Sequence, residues 1–379
     1  MKGTTFSLSP AANYCCCLKP QNNYRRGQQP KTLFQFHNQH RQLQKPFLCL
    51  AVSSSRNPQP LISENPNNAP RPPLVVVGSA NADVYVEIDR LPKEGETVSA
   101  KTGQTLAGGK GANQAACGSK LSYPTYFMGQ VGDDANGTLI LDALKSGGVC
   151  TDSVRIVSDV PTGHAVVMLQ PNGQNSIIIV GGANMCAWPQ KLTDPDLEIV
   201  RNAGIVLLQR EVPDSVNIQV AKAAKSAGVP VIFDAGGMDA PMSLELLNVV
   251  DIFSPNETEL SRITEMPTDG FEQIGQAIMK CHEMGVKQVL VKLGARGSAL
   301  FVEGEKPVKQ PIIPAARVVD TTGAGDTYTA AFAVALVEGN SKEMSMRFAA
   351  AAASLCVQTK GAIPSMPDRS SVLDILSSV

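Results

Sequence analysis

Five short apolar runs, each ending in or followed by a polar or glycine residue, limit what this chain can fold into. They are LVVV (74–77), IVLLQ (205–209), PVIFD (230–234), DIFS (251–254) and QVLVKL (288–293). A strand covered on both faces reads as such a run, because no side of it needs to meet water. Helical patterns separate the runs, among them SVNIQVAKAAKSAG (215–228) and FEQIGQAIMKCHEMG (271–285). Alternating strand and helix predicts an α/β fold, a doubly wound, mostly parallel sheet flanked by helices. Four further stretches alternate apolar with polar residues: VYVEID (84–89), ETVSA (96–100), GHAVVMLQ (163–170) and NSIIIV (175–180). Period two predicts half-exposed strands. Their place after the first buried run and before the second suits a small antiparallel β-sheet lid, over about 84–104 and 163–181. There is no internal repeat.

In open α/β sheets ligands bind beyond the carboxyl ends of the strands. Asn81 and Asp83, Glu211, Asp234, Asn256, and Lys292 with Gly294 stand there. Gly78-Ser-Ala-Asn-Ala-Asp83 delivers an amide and a carboxylate after a glycine turn, and a carboxylate accepts two hydroxyl donors well. LAGGKGANQAACG (106–118) is a glycine-rich loop entering a helix near Ala112, with Lys110 and Asn113 at its mouth. It is neither a Walker A sequence nor G-x-G-x-x-G. The most informative stretch is RVVDTTGAGDTYTAAFAVAL (317–336). Small residues let the backbone turn there, Thr321 or Thr322 can cap the helix that follows, and its first N–H groups form an anion site. Asp326 at that mouth suits removal of a proton from a hydroxyl that attacks a phosphoryl group. On the residues alone, Asn256 to Glu259 reads equally as a helix cap with acids in its first turn, and Lys292 to Gly297 as a hairpin turn.

DTTGAGDTYTAAF resembles the C-terminal signature of the ribokinase family of carbohydrate kinases, with Tyr328 where that pattern has Phe. GSANAD and GGKGANQA sharpen the resemblance, which covers residues 74–368. It implies a ribokinase-like fold and transfer of phosphate from ATP to O5 of D-ribose. Asp326 is then the base, and the amides of Gly323, Ala324, Gly325 and Asp326 make the anion hole. Asn81, Ala82, Asp83, Gly109, Lys110, Gly111, Ala112, Asn113 and Glu211 hold the pentose, with Gly108-Gly109 as hinge. Asp234, Asn256, Lys292, Leu293, Gly294, Ala295, Arg296, Gly297, Gly325 and Asp326 lie on the nucleotide side. Asn256 and Glu259 are implied to hold Mg²⁺, largely through water. Asp320, Thr322, Cys356, Thr359, Gly361 and Ser365 are implied to hold an activating K⁺. One departure is Asp234, because the family usually has an Asn there that donates to a nucleotide phosphate, and an ionised acid cannot donate.

Charge separates the chain into two parts. Residues 1–63 hold eight basic residues and no acid, which leaves 25 basic against 34 acidic in the remainder. An acidic body excludes nucleic acid as the expected partner, and no apolar span is long enough for a membrane helix. An acid-free leader rich in Ser, Thr, Gln, Asn and Arg reads as a transit peptide over 1–50, with a linker over 51–73 and the kinase domain over 74–379. The expected address is the plastid stroma, with the mitochondrion as alternative. Cys117, Cys150, Cys186, Cys281 and Cys356 lack C-x-x-C spacing and read as reduced thiols. A homodimer formed through the lid is expected. The alternatives are a kinase for another small sugar or a nucleoside, and a non-catalytic organellar assembly component. A reporter fused to residues 1–73 is expected to enter isolated plastids; entry into mitochondria alone would move the address.

Overall fold

β1 (Leu74–Val77) lies inside a nine-stranded sheet and is buried on both faces. Its side chains alternate between two apolar layers. Leu74 and Val76 join one cluster, while Val75 and Val77 join the other. The computed structural model describes residues 71–171 and 175–378. The transit peptide expected over 1–50, and the expected linker as far as residue 70, lie outside the described residues.

The strands follow in chain order as β2 (Asn81–Glu87), β3 (Thr102–Gly108), β4 (Thr125–Gly132), β5 (Cys150–Val157), β6 (Gly163–Leu169), β7 (Asn175–Val180), β8 (Ile205–Arg210), β9 (Val231–Gly237), β10 (Ile252–Ser254), β11 (Gln288–Lys292), β12 (Ser298–Val302) and β13 (Val308–Gln310). The large sheet runs β13-β12-β11-β10-β9-β8-β1-β4-β5. Its pairings from β11 to β5 are parallel, and those of β11–β12 and β12–β13 are antiparallel. The strand order reverses at β1, which has β8 on one side and β4 on the other. A crevice opens at such a switch point. On one face the helices Ala324–Val337 and Lys342–Cys356 pack through Ala330, Ala331, Ala333, Ala349, Ala351 and Ala352, all fully buried. Small side chains are what let two helices and a sheet approach this closely.

All five apolar runs are core strands. The lid differs from expectation in two ways. ETVSA (96–100) is not a strand; the partner of β2 is β3, six residues further on, and its first four residues are exposed. The second sheet, β3-β2-β6-β7, has antiparallel outer pairs around a parallel β2–β6 pair. Two strands of the large sheet, β4 and β5, also stand between the lid segments in the chain, so the lid is not one insertion. β4 (TYFMGQVG) escaped the pattern because glycines and Gln130 break its apolar run. The reason lies in the packing: a Cβ at Gly129 would come within 2.8 Å of the Gly78 carbonyl oxygen.

Candidate active site

The helix Ala324–Val337 begins without a side-chain cap. Neither Thr321 nor Thr322 caps it, contrary to expectation. Its N-cap is Gly323, at φ 79 and ψ −6, a left-handed conformation that bends the chain so sharply that no hydroxyl reaches the first turn. The Ala324 amide donates to the Thr321 carbonyl at 3.2 Å, so that amide already has a partner. Gly325 and Asp326 follow at the open helix end, where the peptide dipoles favour negative charge.

Two cavities meet at this point. The larger, about 720 Å³, is lined by Asn256, Glu259, Lys292, Gly294, Ala295, Gly297, Ala324 and Gly325, and beyond them by Ile312, Ile313, Val318, Ala350, Ala353 and Val357. The smaller, about 280 Å³, is lined by Asn81, Asp83, Gly109, Lys110, Asn113 and Glu211, with Ala165, Val167, Ile177 and Ile179 from the lid. Lys110, Thr321, Gly323 and Asp326 line both.

Polar side chains in the small cavity are held by residues behind them. Asn81 Oδ1 accepts from Asn184 Nδ2 at 2.7 Å, and Asn184 in turn exchanges hydrogen bonds with the backbone of Ala80. That leaves the Asn81 amide donors for the cavity. Glu211 accepts from Ser79 Oγ at 2.5 Å and from the Lys110 amide at 3.3 Å. Asn113 donates to Asp326 Oδ2 at 2.9 Å, while its own Oδ1 is buried without a partner among the described residues. Buried amide oxygens are nearly always paired, so this one awaits a donor from a ligand. Gly108 leaves room for Asp83: a Cβ there would sit 2.1 Å from the carboxylate, which would have to shift.

Three residues expected at the sugar, Ala82, Gly111 and Ala112, do not line the cavity. Ala82 points to the opposite face of β2 from Asn81 and Asp83, by strand alternation. The amides of Gly111 and Ala112 turn inward to Ser79, at 3.4 Å to its hydroxyl and 2.9 Å to its carbonyl. The helix there starts at Lys110, earlier than expected.

On the nucleotide side Leu293 is buried outside the cavity, and Arg296 is turned away to Glu257 and the Asp269 carbonyl. Asp234 lies beneath the floor, 2.6 Å from Lys292 Nζ. Asn256 and Glu259 form a capping box: Asn256 Oδ1 accepts from the Glu259 amide and Glu259 Oε2 from the Asn256 amide, both at 2.8 Å. The cap and the ligand readings are compatible, because one carboxylate oxygen of Glu259 remains uncommitted to the cap. Among the described residues no three His, Cys, Asp or Glu side chains cluster as an all-protein metal cage. A carboxylate oxygen such as that of Glu259 suits Mg²⁺, which keeps waters and phosphate oxygens as ligands.

Asp320, Thr322, Cys356, Thr359, Gly361 and Ser365 come together behind the anion helix. Asp320 accepts from the amides of Thr322 and Gly361, each at 2.9 Å, and so ties the two segments. Cys356 Sγ lies 3.1 Å from Ser365 Oγ, and the Thr359 amide donates to the Cys356 carbonyl at 3.3 Å. The Thr322 hydroxyl is buried and faces the Tyr85 hydroxyl.

Residues 72–369 match the model of the pfkB family of carbohydrate kinases. The chain belongs to that family. It is 73% identical to a ribokinase of Arabidopsis thaliana over 326 residues, 86% of this chain and 85% of that protein. It is 38% identical to a ribokinase of Bacillus subtilis over 304 residues, 80% of this chain and 99% of that one. The solved structure of Arabidopsis thaliana ribokinase complexed with ribose and ATP superposes with a TM-score of 0.77 at 76% identity, covering 80% of this chain and 98% of that chain.

For a pfkB-family kinase, the residues that sequence reading missed are mostly those that orient others. Asn184 and Ser79 orient Asn81 and Glu211. Gln114 donates toward Asp326 Oδ1 and Asp234 Oδ2, each at 3.4 Å, and accepts from Gln209 at 2.7 Å. Gln114 stands inside a quoted motif, but its partners lie far away in sequence.

The site holds its acids in different states. Burial, then the nearby charges of Glu211 and Asp326, push the Asp83 carboxyl up to about 7. Asp326 is also raised, by burial and by Asp234, against the opposing pull of Lys110 and Asn113. Burial alone would lower Lys110, but Asp326, Asp234, Glu211 and Glu259 outweigh it and keep the ammonium charged. Sugar hydroxyls donate best to ionised Asp83, so binding favours loss of its proton. With ribose as probe, calorimetric affinity is expected to weaken about tenfold between pH 8 and pH 6. A flat profile would show that Asp83 does not meet the sugar as a carboxylate.

Proposed function

We propose that this chain transfers the γ-phosphoryl group of ATP to O5 of D-ribose, giving D-ribose 5-phosphate and ADP. One observation carries the reading: Asp326, at an uncapped helix N-terminus, lies in the wall shared by the two cavities. The larger cavity is of nucleotide size, and the smaller suits a single sugar. Among the described residues no aromatic side chain lines the small cavity, which disfavours a nucleoside base there.

Asp326 accepts the proton of the 5-hydroxyl. The oxygen then attacks the γ-phosphorus as the bond to the β-phosphate oxygen breaks, and ADP leaves. Lys110, whose Nζ is 4.0 Å from Asp326 Oδ1, and the amides at the helix start stabilise the charge that develops. Asn81, Asp83, Asn113 and Glu211 hold the other hydroxyls, so that only O5 faces Asp326. Asn256 and Glu259 are the residues that would hold Mg²⁺ through its waters. When bound with ATP, the ion supplies neutralisation of phosphate charge. The Asp320 to Ser365 group would hold K⁺ and set the potential of the anion hole without taking part in bond making.

The lid supports a homodimer. Ile177, Ile178, Ile179 and Val180 of β7 are all exposed; Ile177 and Ile179 line the small cavity, and Ile178 and Val180 face the other way by strand alternation. A second copy is the proposed cover for that outer face. Sedimentation of the 71–379 segment is expected to give twice the mass of one chain, and Ile178→Asp is expected to give one.

The function is tested by ATP consumption with a panel of sugars, in K⁺ and then in Na⁺. Ribose turnover that rises with K⁺ is expected. Asp326→Asn should lower kcat by roughly 10²–10⁴ with sugar affinity affected less. Turnover of another sugar or a nucleoside, or full activity in the variant, would overturn the substrate or the base respectively.

A further inference from the structure

Asp234 has no direct route to the nucleotide, yet it is among the most heavily engaged side chains of the site. It lies in the buried middle of β9, beside Gln209 on β8 and Ser254 on β10. Its side chain is 1% exposed. Oδ2 takes Lys292 Nζ at 2.6 Å, Thr329 Oγ1 at 3.0 Å and Gln114 Nε2 at 3.4 Å, and Oδ1 takes the Gly236 amide at 3.0 Å. Lys292 is the last residue of β11 and is 12% exposed, and it lines the nucleotide cavity. A methyl group placed on Gly325 would stand 3.9 Å from Lys292 Nζ. The ammonium therefore sits beside the start of the helix Ala324–Val337 on the side of the larger cavity, while Lys110 stands where the two cavities meet.

An ammonium has three donors. Asp234 takes one, Thr329 Oγ1 is only at the edge of reach at 3.5 Å, and the Nζ borders the cavity. A buried ion pair is weak as a device for stability alone, because desolvation cancels most of the attraction. Burial works against ionisation of Asp234, but Lys292 and Lys110 hold its carboxyl below the usual range.

We propose that Asp234 is a positioning residue that fixes the Lys292 ammonium at the anion hole, where Lys292 contacts the β- and γ-phosphate oxygens of the nucleotide. The inference rests on the nucleotide reading of the larger cavity. It also accounts for an acid at a position where a phosphate donor would otherwise stand: the acid does not donate, and the lysine it holds does.

Calorimetric binding of ADP and of adenosine separates this from a structural role. Lys292→Met is expected to lose about 10- to 100-fold in ADP affinity, the range of one charge-assisted hydrogen bond, with adenosine affinity unchanged. Asp234→Asn is expected to weaken ADP less, since the ammonium remains but is no longer anchored. Either single variant leaves an unpaired buried charge and is expected to melt at a lower temperature. The double variant Asp234→Asn/Lys292→Met removes both charges. It is expected to regain thermal stability while ADP affinity stays as low as in Lys292→Met. Recovery of ADP affinity together with stability would overturn the proposal, as would equal losses for ADP and adenosine in Lys292→Met. Wild-type protein that binds ADP but phosphorylates no sugar would overturn the reaction and leave this proposal standing.

Discussion

The site depends on a helix that starts without a cap. Most helices satisfy their first amides with a side chain from the residue before them. Here Gly323 takes the left-handed region and no side chain caps the first turn. The unmet amides and the dipole behind them make a place for negative charge. Everything else in the site is arranged by distance from that point. The sheet supplies strand ends on one side of it, the lid closes over the sugar side, and the helix Lys342–Cys356 backs the nucleotide side.

Around this helix end the protein places two lysines and two buried acids in contact with one another. Asp326 is raised and Asp234 is lowered, although both are buried. The difference follows from their partners. Asp234 has an ammonium at 2.6 Å and a hydroxyl at 3.0 Å. Asp326 has one amide donor at 2.9 Å, a second at 3.4 Å, and its ammonium only at 4.0 Å. Pushing two titratable groups apart in this way lets one accept a proton while the other stays a fixed charge. Gln114 touches both carboxylates and keeps them from facing each other unscreened.

Much of this was legible in the chain. The five apolar runs marked central strands because burial on both faces leaves a continuous signal. The residues at their ends, from Asn81 to Lys292, marked the crevice for the same geometric reason. Other elements were hidden. β4 carries Gly129 and Gln130 in its middle because the Gly78 carbonyl leaves no room for a side chain and because a buried amide can be satisfied there. β3 was misplaced because its first four residues are exposed and carry no apolar alternation. Ala82, Gly111 and Ala112 belonged to the right motifs but face elsewhere, since a motif names a segment and not the direction of each side chain.

The sequence by itself determined the alternation of strand and helix, the glycine turn before Asp326, and the chemical types gathered at the strand ends. These are local properties, set by periodicity and backbone freedom. Only the tertiary structure decided which of those residues share a cavity, that neither threonine caps the helix, and that Asp234 pairs with Lys292. Those outcomes depend on contacts between positions tens to hundreds of residues apart, such as Asn113 with Asp326 and Asp234 with Lys292. Burial, pairing and proton affinity follow from such contacts, and no local pattern encodes them.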